Sequence, residues 1–124
     1  MTNNQLIRSF KNAFKGVKKV FQEERNFRIQ IMAAIFIVIL MNVFVLSIVE
    51  KSILILLIIA VLVLELFNSI LERLVDVFKP RVHTYIKDIK DIAAGAVLLT
   101  ALGSLFVGVI IFYPHIRDLI LASL

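Results

Sequence analysis

A chain of 124 residues that is 60% apolar, 19% charged and free of cysteine falls outside the composition of soluble domains, which run to about half apolar and ~25% charged. Small folds bury the smallest fraction of their surface, so an ordinary aqueous globule of this size could not hide so many Leu, Ile, Val and Phe. Disorder is excluded by the same excess of apolar residues, and the missing thiols exclude a disulfide scaffold, thiolate metal sites and a cysteine nucleophile. A single all-α integral membrane domain over 1–124 remains.

Residues 1–28 open the chain without the apolar core and cleavage site of a signal peptide. Leu6, Phe10, Phe14, Val17 and Phe21 recur at three- and four-residue spacing, with Arg8, Lys11, Lys15, Lys18 and Lys19 between them. That pattern predicts a basic amphipathic helix lying in the headgroup plane. A plain charged cap that sets orientation fits the same residues. The first membrane span is predicted over about 29–49, apolar except for Gln30, Asn42 and Ser47. The second covers about 53–71, apolar to Leu64 and then increasingly polar. A third, about 92–113, carries no charge. Each approaches or exceeds the ~18 residues of a spanning helix, and each must satisfy its own backbone inside a bilayer. Pro80 falls between spans two and three, and Pro114 is expected to close span three. Residues 1–28 hold seven Lys and Arg and the 73–90 segment five, so three spans gather 12 of the 14 on one side. The positive-inside rule makes that side cytoplasmic.

The second helix carries the chemistry. Within Glu65-Leu-Phe-Asn68-Ser-Ile-Leu-Glu72-Arg-Leu-Val-Asp76, offsets of 3, 7 and 11 put Asn68, Glu72 and Asp76 within an arc of about 80° that includes Glu65. Three carboxylates and an amide thus form one stripe running from the bilayer toward the cytoplasm. A carboxylate at a helix centre costs about 3 kcal/mol even on lenient scales, and like charges a turn apart repel. The stripe therefore calls for cations, either a divalent metal or clustered Lys and Arg. The plainer alternative is that Arg73, Lys90 and Arg28 neutralise it as buried ion pairs.

A further charged group, Glu23 to Arg28 and Arg81 to Asp91, flanks the same cytoplasmic mouth. Carboxylates for Mg²⁺ and Lys or Arg for phosphate are the recurring parts of phosphoryl-transfer sites. The four glycines, at 16, 95, 103 and 108, are too dispersed for a backbone phosphate cradle, so a nucleotide site must use side chains and metal. His83 and His115 fall on opposite sides of the membrane, which disfavours a two-histidine metal site. His83 is read either as a nucleotide contact or as an ordinary surface residue. Ala96, Thr100, Ser104 and Gly108 recur every four residues along span three, a spacing that promotes helix association in membranes.

The motif E-x-x-N-[ST]-x-x-E-x-x-x-D, here Glu65–Asp76, is followed by H-x-x-x-K-x-x-K-D-x-A-A-G-A-V, here His83–Val97. Together they resemble the prokaryotic diacylglycerol kinase family. Glu24-Arg-Asn-Phe-Arg28 and Val107-Gly-Val-Ile-Ile-Phe-Tyr-Pro114 are more similar to its undecaprenol kinase branch. The resemblance implies an ATP-dependent lipid kinase of the bacterial cytoplasmic membrane, acting as a homotrimer with composite sites between protomers. It implies Glu65 as catalytic base at the lipid hydroxyl, and Glu24 and Glu72 as ligands of the Mg²⁺ that bridges the ATP phosphates. Asn68 would position the reacting groups. Asn12, Arg81, Val82, His83, Lys90 and Asp91 would line the nucleotide, with Asp76 in support. Ile70 stands where the family has a small Ala, Leu71 where it has Ile, and Thr84-Tyr85-Ile86 replaces Pro-Leu-Ala. The bulk at Ile70, beside the active carboxylate, bears on the choice of lipid more than on catalysis. The expected acceptor is undecaprenol, giving undecaprenyl phosphate, with diacylglycerol as the alternative. From another class comes a non-catalytic oligomeric membrane protein or ion pathway, with Glu65 as its proton or cation site.

Overall fold

The computed structural model describes residues 2–78 and 83–124 as four helices. Helix α1 spans Asn3–Glu23, α2 Arg25–Val43, α3 Ile48–Phe78 and α4 His83–Ser123. Three of them, α2, α3 and α4, are long and apolar enough to cross a membrane. The sequence-predicted spans therefore correspond to helices, with shifted ends. Helix α2 stops at Val43 because Phe44 turns extended (φ −95°, ψ 150°). Helix α3 runs on past residue 71 to Phe78, and α4 continues beyond Tyr113.

The continuation of α4 corrects one expectation. Pro114 lies inside the helix rather than closing it. Proline deletes one backbone N–H and crowds the preceding turn, a loss that membrane helices tolerate when neighbouring elements hold the chain. Here the flanking residues supply that hold. Phe112 is buried, and His115 reaches across to Glu50 of α3 at 3.2 Å.

Each helix start has a local cause. At α1, Thr2 and Gln5 form a capping box, each side chain accepting from the other's backbone N–H at 3.3 and 2.9 Å. At α3, Ser47 and Glu50 repeat the device at 3.1 and 3.0 Å. Such reciprocal caps satisfy N–H groups that the helix itself leaves unpaired. A single extended residue, Glu24 (φ −106°, ψ 111°), separates α1 from α2. The Arg28 guanidinium donates to the carbonyls of Phe21 and Gln22 at 2.8 and 2.9 Å, so it caps the end of α1 rather than neutralising an acid. Glu24 is thereby pinned at a corner between two helices.

Helices α3 and α4 pack against each other most extensively, and α2 lies against α3. The tightest apolar cluster, Met41, Leu46, Leu54, Ile111 and Phe112, sits at the α2–α3 hairpin end. Elsewhere the helices leave most of their apolar surface uncovered. The accessible surface is 9595 Å², against about 6,700 Å² for a compact soluble protein of this mass. Apolar side chains such as Met32, Phe36 and Leu105 are more than half exposed. That surface belongs in contact with lipid or with another chain.

Candidate active site

The stripe on α3 grades from buried to exposed along its length. Glu65 is 3% exposed, Asn68 and Glu72 are half-buried, and Asp76 is open. Helical rise separates Glu65 from Asp76 by roughly 16 Å. A carboxylate at the dry end and one at the wet end of the same face suit a reaction between a bilayer-borne and a water-borne reactant.

Two neighbours hold Glu65 and its surroundings in place. Gln30 of α2 donates its Nε2 to Glu65 Oε2 at 3.1 Å. One turn along α3, Ser69 is 1% exposed and donates its hydroxyl to Glu24 Oε1 at 3.3 Å. Asn68 Nδ2 donates to Glu72 Oε1 at 3.3 Å, so the amide steadies the second carboxylate of its own helix. Ser69 and Asn68 thus tie Glu24 and Glu72 to the stretch of α3 that begins at Glu65.

The alternative that Arg73, Lys90 and Arg28 neutralise the stripe is met in part, at Asp76. Arg73 pairs with Glu23 of α1 at 2.7 Å, and its Nε also donates to Ser69 at 3.4 Å. Lys90 of α4 pairs with Asp76 at 3.2 Å. Among the described residues, the ion pairs of Arg73 and Lys90 end on Glu23 and Asp76, not on Glu24, Glu65 or Glu72. The inner carboxylates retain an appetite for a cation.

No group of three or more His, Asp or Glu side chains among the described residues forms a cage for a metal. Glu24 and Glu72 offer two hard oxygen ligands instead. This fits Mg²⁺, which characteristically takes one or two carboxylates and leaves its remaining positions to water and substrate phosphates.

The remaining expected residues fall as follows. Asn12 is exposed on α1 and Asp91 is exposed on the first turns of α4. Arg81 and Val82 lie outside the described residues, as does the side chain of His83, the first residue of α4. Sequence reading passed over Gln30 and Ser69. Ser69 had a signal, since it stands four residues after Glu65 on the same helix face. Gln30 had a weaker one, as an amide early in an apolar run.

Residues 11–112 match the prokaryotic diacylglycerol kinase family. The chain belongs to that family. It is 37% identical over 113 residues to the undecaprenol kinase of Bacillus subtilis (strain 168), covering 91% of this chain and 92% of that protein. It is also 35% identical over 115 residues to the diacylglycerol kinase of Synechocystis sp. (strain ATCC 27184 / PCC 6803 / Kazusa), covering 92% of this chain and 66% of that one. Family membership makes the chain an enzyme, a lipid kinase with an alcohol acceptor, and sets aside the non-catalytic ion-pathway alternative.

Proposed function

We propose that the protein transfers the γ-phosphate of Mg-ATP to the hydroxyl of undecaprenol, giving undecaprenyl phosphate. The observation that carries the chemistry is Glu65, a carboxylate buried in an apolar helix, with Glu24 and Glu72 held one to two turns farther along α3 by Ser69 and Asn68. Undecaprenol is favoured as acceptor by the undecaprenol kinase relative, which matches along 92% of its length. The Glu24-Arg-Asn-Phe-Arg28 segment points the same way. Diacylglycerol is the second reading, favoured by the family match and the second relative.

In this mechanism Glu65 takes the proton from the lipid hydroxyl as its oxygen bonds to the γ-phosphorus and ADP departs. Gln30 holds the Glu65 carboxylate in orientation through their hydrogen bond. Glu24 and Glu72 would hold Mg²⁺, which when bound neutralises phosphate charge. Asn68 fixes Glu72 and positions the reacting groups. Asn12, Arg81, Val82, His83, Lys90 and Asp91 line the nucleotide, and Asp76 steadies Lys90. The face carrying α1 and the carboxylates is cytoplasmic, in the bacterial cytoplasmic membrane, a reading supported by the distribution of Lys and Arg. Helix α1 lies along that surface, its exposed Phe10 and Phe14 in the acyl boundary and its lysines at the headgroups. A homotrimer covers part of the apolar surface that one chain leaves open.

The test is phosphate transfer from labelled ATP to undecaprenol and to diacylglycerol, in parallel, with purified protein in mixed micelles. Preference for undecaprenol is expected. Preference for diacylglycerol moves the protein to the second reading, and transfer to neither contradicts the assignment of the site.

A further inference from the structure

At 1% exposed, Ser69 is buried more deeply than Glu65 itself. A helical hydroxyl commonly meets its need locally, by donating to the carbonyl four residues back. Ser9, Ser52 and Thr100 do so in this chain, to the carbonyls of Gln5, Ile48 and Ala96 at 3.0, 2.8 and 2.9 Å. Ser69 does not. It donates to Glu24 Oε1 at 3.3 Å, across 45 residues of chain, and so joins α3 to the corner between α1 and α2.

The direction of that hydrogen is fixed by its neighbour. Arg73 Nε donates to Ser69 Oγ at 3.4 Å, while Arg73 Nη2 holds Glu23 at 2.7 Å. A hydroxyl owns one hydrogen and a guanidinium accepts none, so the Ser69 hydrogen is committed to Glu24. Glu24 has the complementary need. It is the N-cap residue of α2, yet its side chain makes no cap bond. Its own helix therefore does nothing to orient the carboxylate, and among the described residues Ser69 is the donor that the carboxylate meets.

The neighbouring residue on α3 does the same for the second carboxylate, since Asn68 donates to Glu72 at 3.3 Å. Two consecutive residues of one helical turn thus direct two carboxylates, one on α3 and one at the corner before α2. Ser69 and Glu72, three residues apart, are neighbours on the helix surface.

We infer that Ser69 is a positioning residue for Glu24, holding its Oε1 by a hydrogen bond and leaving Oε2 to a divalent cation. This rests on the reading of Glu24 and Glu72 as Mg²⁺ ligands given above, and adds the group that orients one of them. Fixing the carboxylate before the ion arrives removes an ordering cost that binding would otherwise carry. Hydrogen bonds behind a metal ligand are worth about 10–100-fold in metal affinity.

Nucleotide binding without lipid tests the role apart from turnover. A non-hydrolysable ATP analogue is titrated into detergent-solubilised protein in Mg²⁺ and, separately, in EDTA. Ser69→Ala deletes one oxygen from a side chain of nearly the same size. In Mg²⁺ this variant should bind the analogue about tenfold more weakly than wild type, and in EDTA its affinity should be unchanged. Glu24→Gln should also weaken binding in Mg²⁺. Adding Ser69→Ala to Glu24→Gln should then change the affinity by less than about twofold, because the hydroxyl acts through that carboxylate. Equal weakening in Mg²⁺ and in EDTA would report a merely structural role for Ser69 and overturn the inference. Losses that multiply in the double variant would overturn it as well. Wild-type affinity in Ser69→Ala, with Glu24→Gln impaired, would overturn it while leaving the metal ligands standing. Wild-type binding that is the same in Mg²⁺ and in EDTA would strike the metal assignment, and the inference with it.

Discussion

The two ends of the helical bundle treat polar groups in opposite ways. At the hairpin end, Glu50 is engaged by the Ser47 backbone N–H and by His115, and Phe44 stacks at a tilt against both Phe112 and His115 with ring centres 6.0 and 6.2 Å away. These contacts close around Met41, Leu46, Leu54 and Ile111. At the α1 end, Glu24, Glu65 and Glu72 accept from Ser69, Gln30 and Asn68, while Arg73 and Lys90 pair with Glu23 and Asp76. Among the described residues, the charge at the first end is paired within the chain, while those three carboxylates at the other meet neutral donors.

The contrast predicts that substitutions at the two ends separate activity from stability. The largest effect is expected from Glu24→Gln combined with Glu72→Gln. Removing both carboxylates should raise the Mg-ATP KM well over tenfold and shift the Mg²⁺ dependence, with helix content unchanged by circular dichroism. A double variant with normal Mg²⁺ dependence would break the comparison at its polar end. Next comes Leu54→Ala at the hairpin end, where a side chain only 3% exposed is lost. It should cost about 2 kcal/mol in unfolding by denaturing detergent, while the folded fraction keeps the wild-type KM for both substrates. Smaller again is Arg73→Gln. Its partner pair is nearly half exposed, at 43% and 49%, so a loss of about 0.5 kcal/mol is expected, with little change in kcat. Smallest of all should be Glu50→Gln, which keeps the cap oxygen toward Ser47 but removes the charge opposite His115. A slightly lower melting temperature with unchanged turnover would sharpen the contrast, and a marked loss of turnover would blur it.

How much of this could be read from residues alone follows from where each feature is encoded. The helices were legible because apolar runs of spanning length leave no alternative in a bilayer, and the stripe Glu65, Asn68, Glu72 was legible because its spacing lies within one helix. Gln30 and the Ser69–Glu24 bond were not, because they depend on the register between α2 and α3, separations of 35 and 45 residues that no local periodicity records. Pro114 misled for a related reason. Its local propensity says stop, and the distant Glu50–His115 contact, 65 residues apart, helps carry the helix through. The Ala96–Gly108 spacing was visible, but the room it leaves beside Gly108 is a property of three helices together.

The central claim is that Glu65 performs the proton transfer and takes no part in holding nucleotide. It is tested most directly by Glu65→Gln, comparing labelled-phosphate transfer to undecaprenol with equilibrium binding of Mg-ATP on the same preparation. Transfer should fall by about 10²–10⁴, with Mg-ATP affinity within about twofold of wild type. Transfer retained at the wild-type rate, or lost in step with Mg-ATP binding, would contradict the role assigned to this carboxylate.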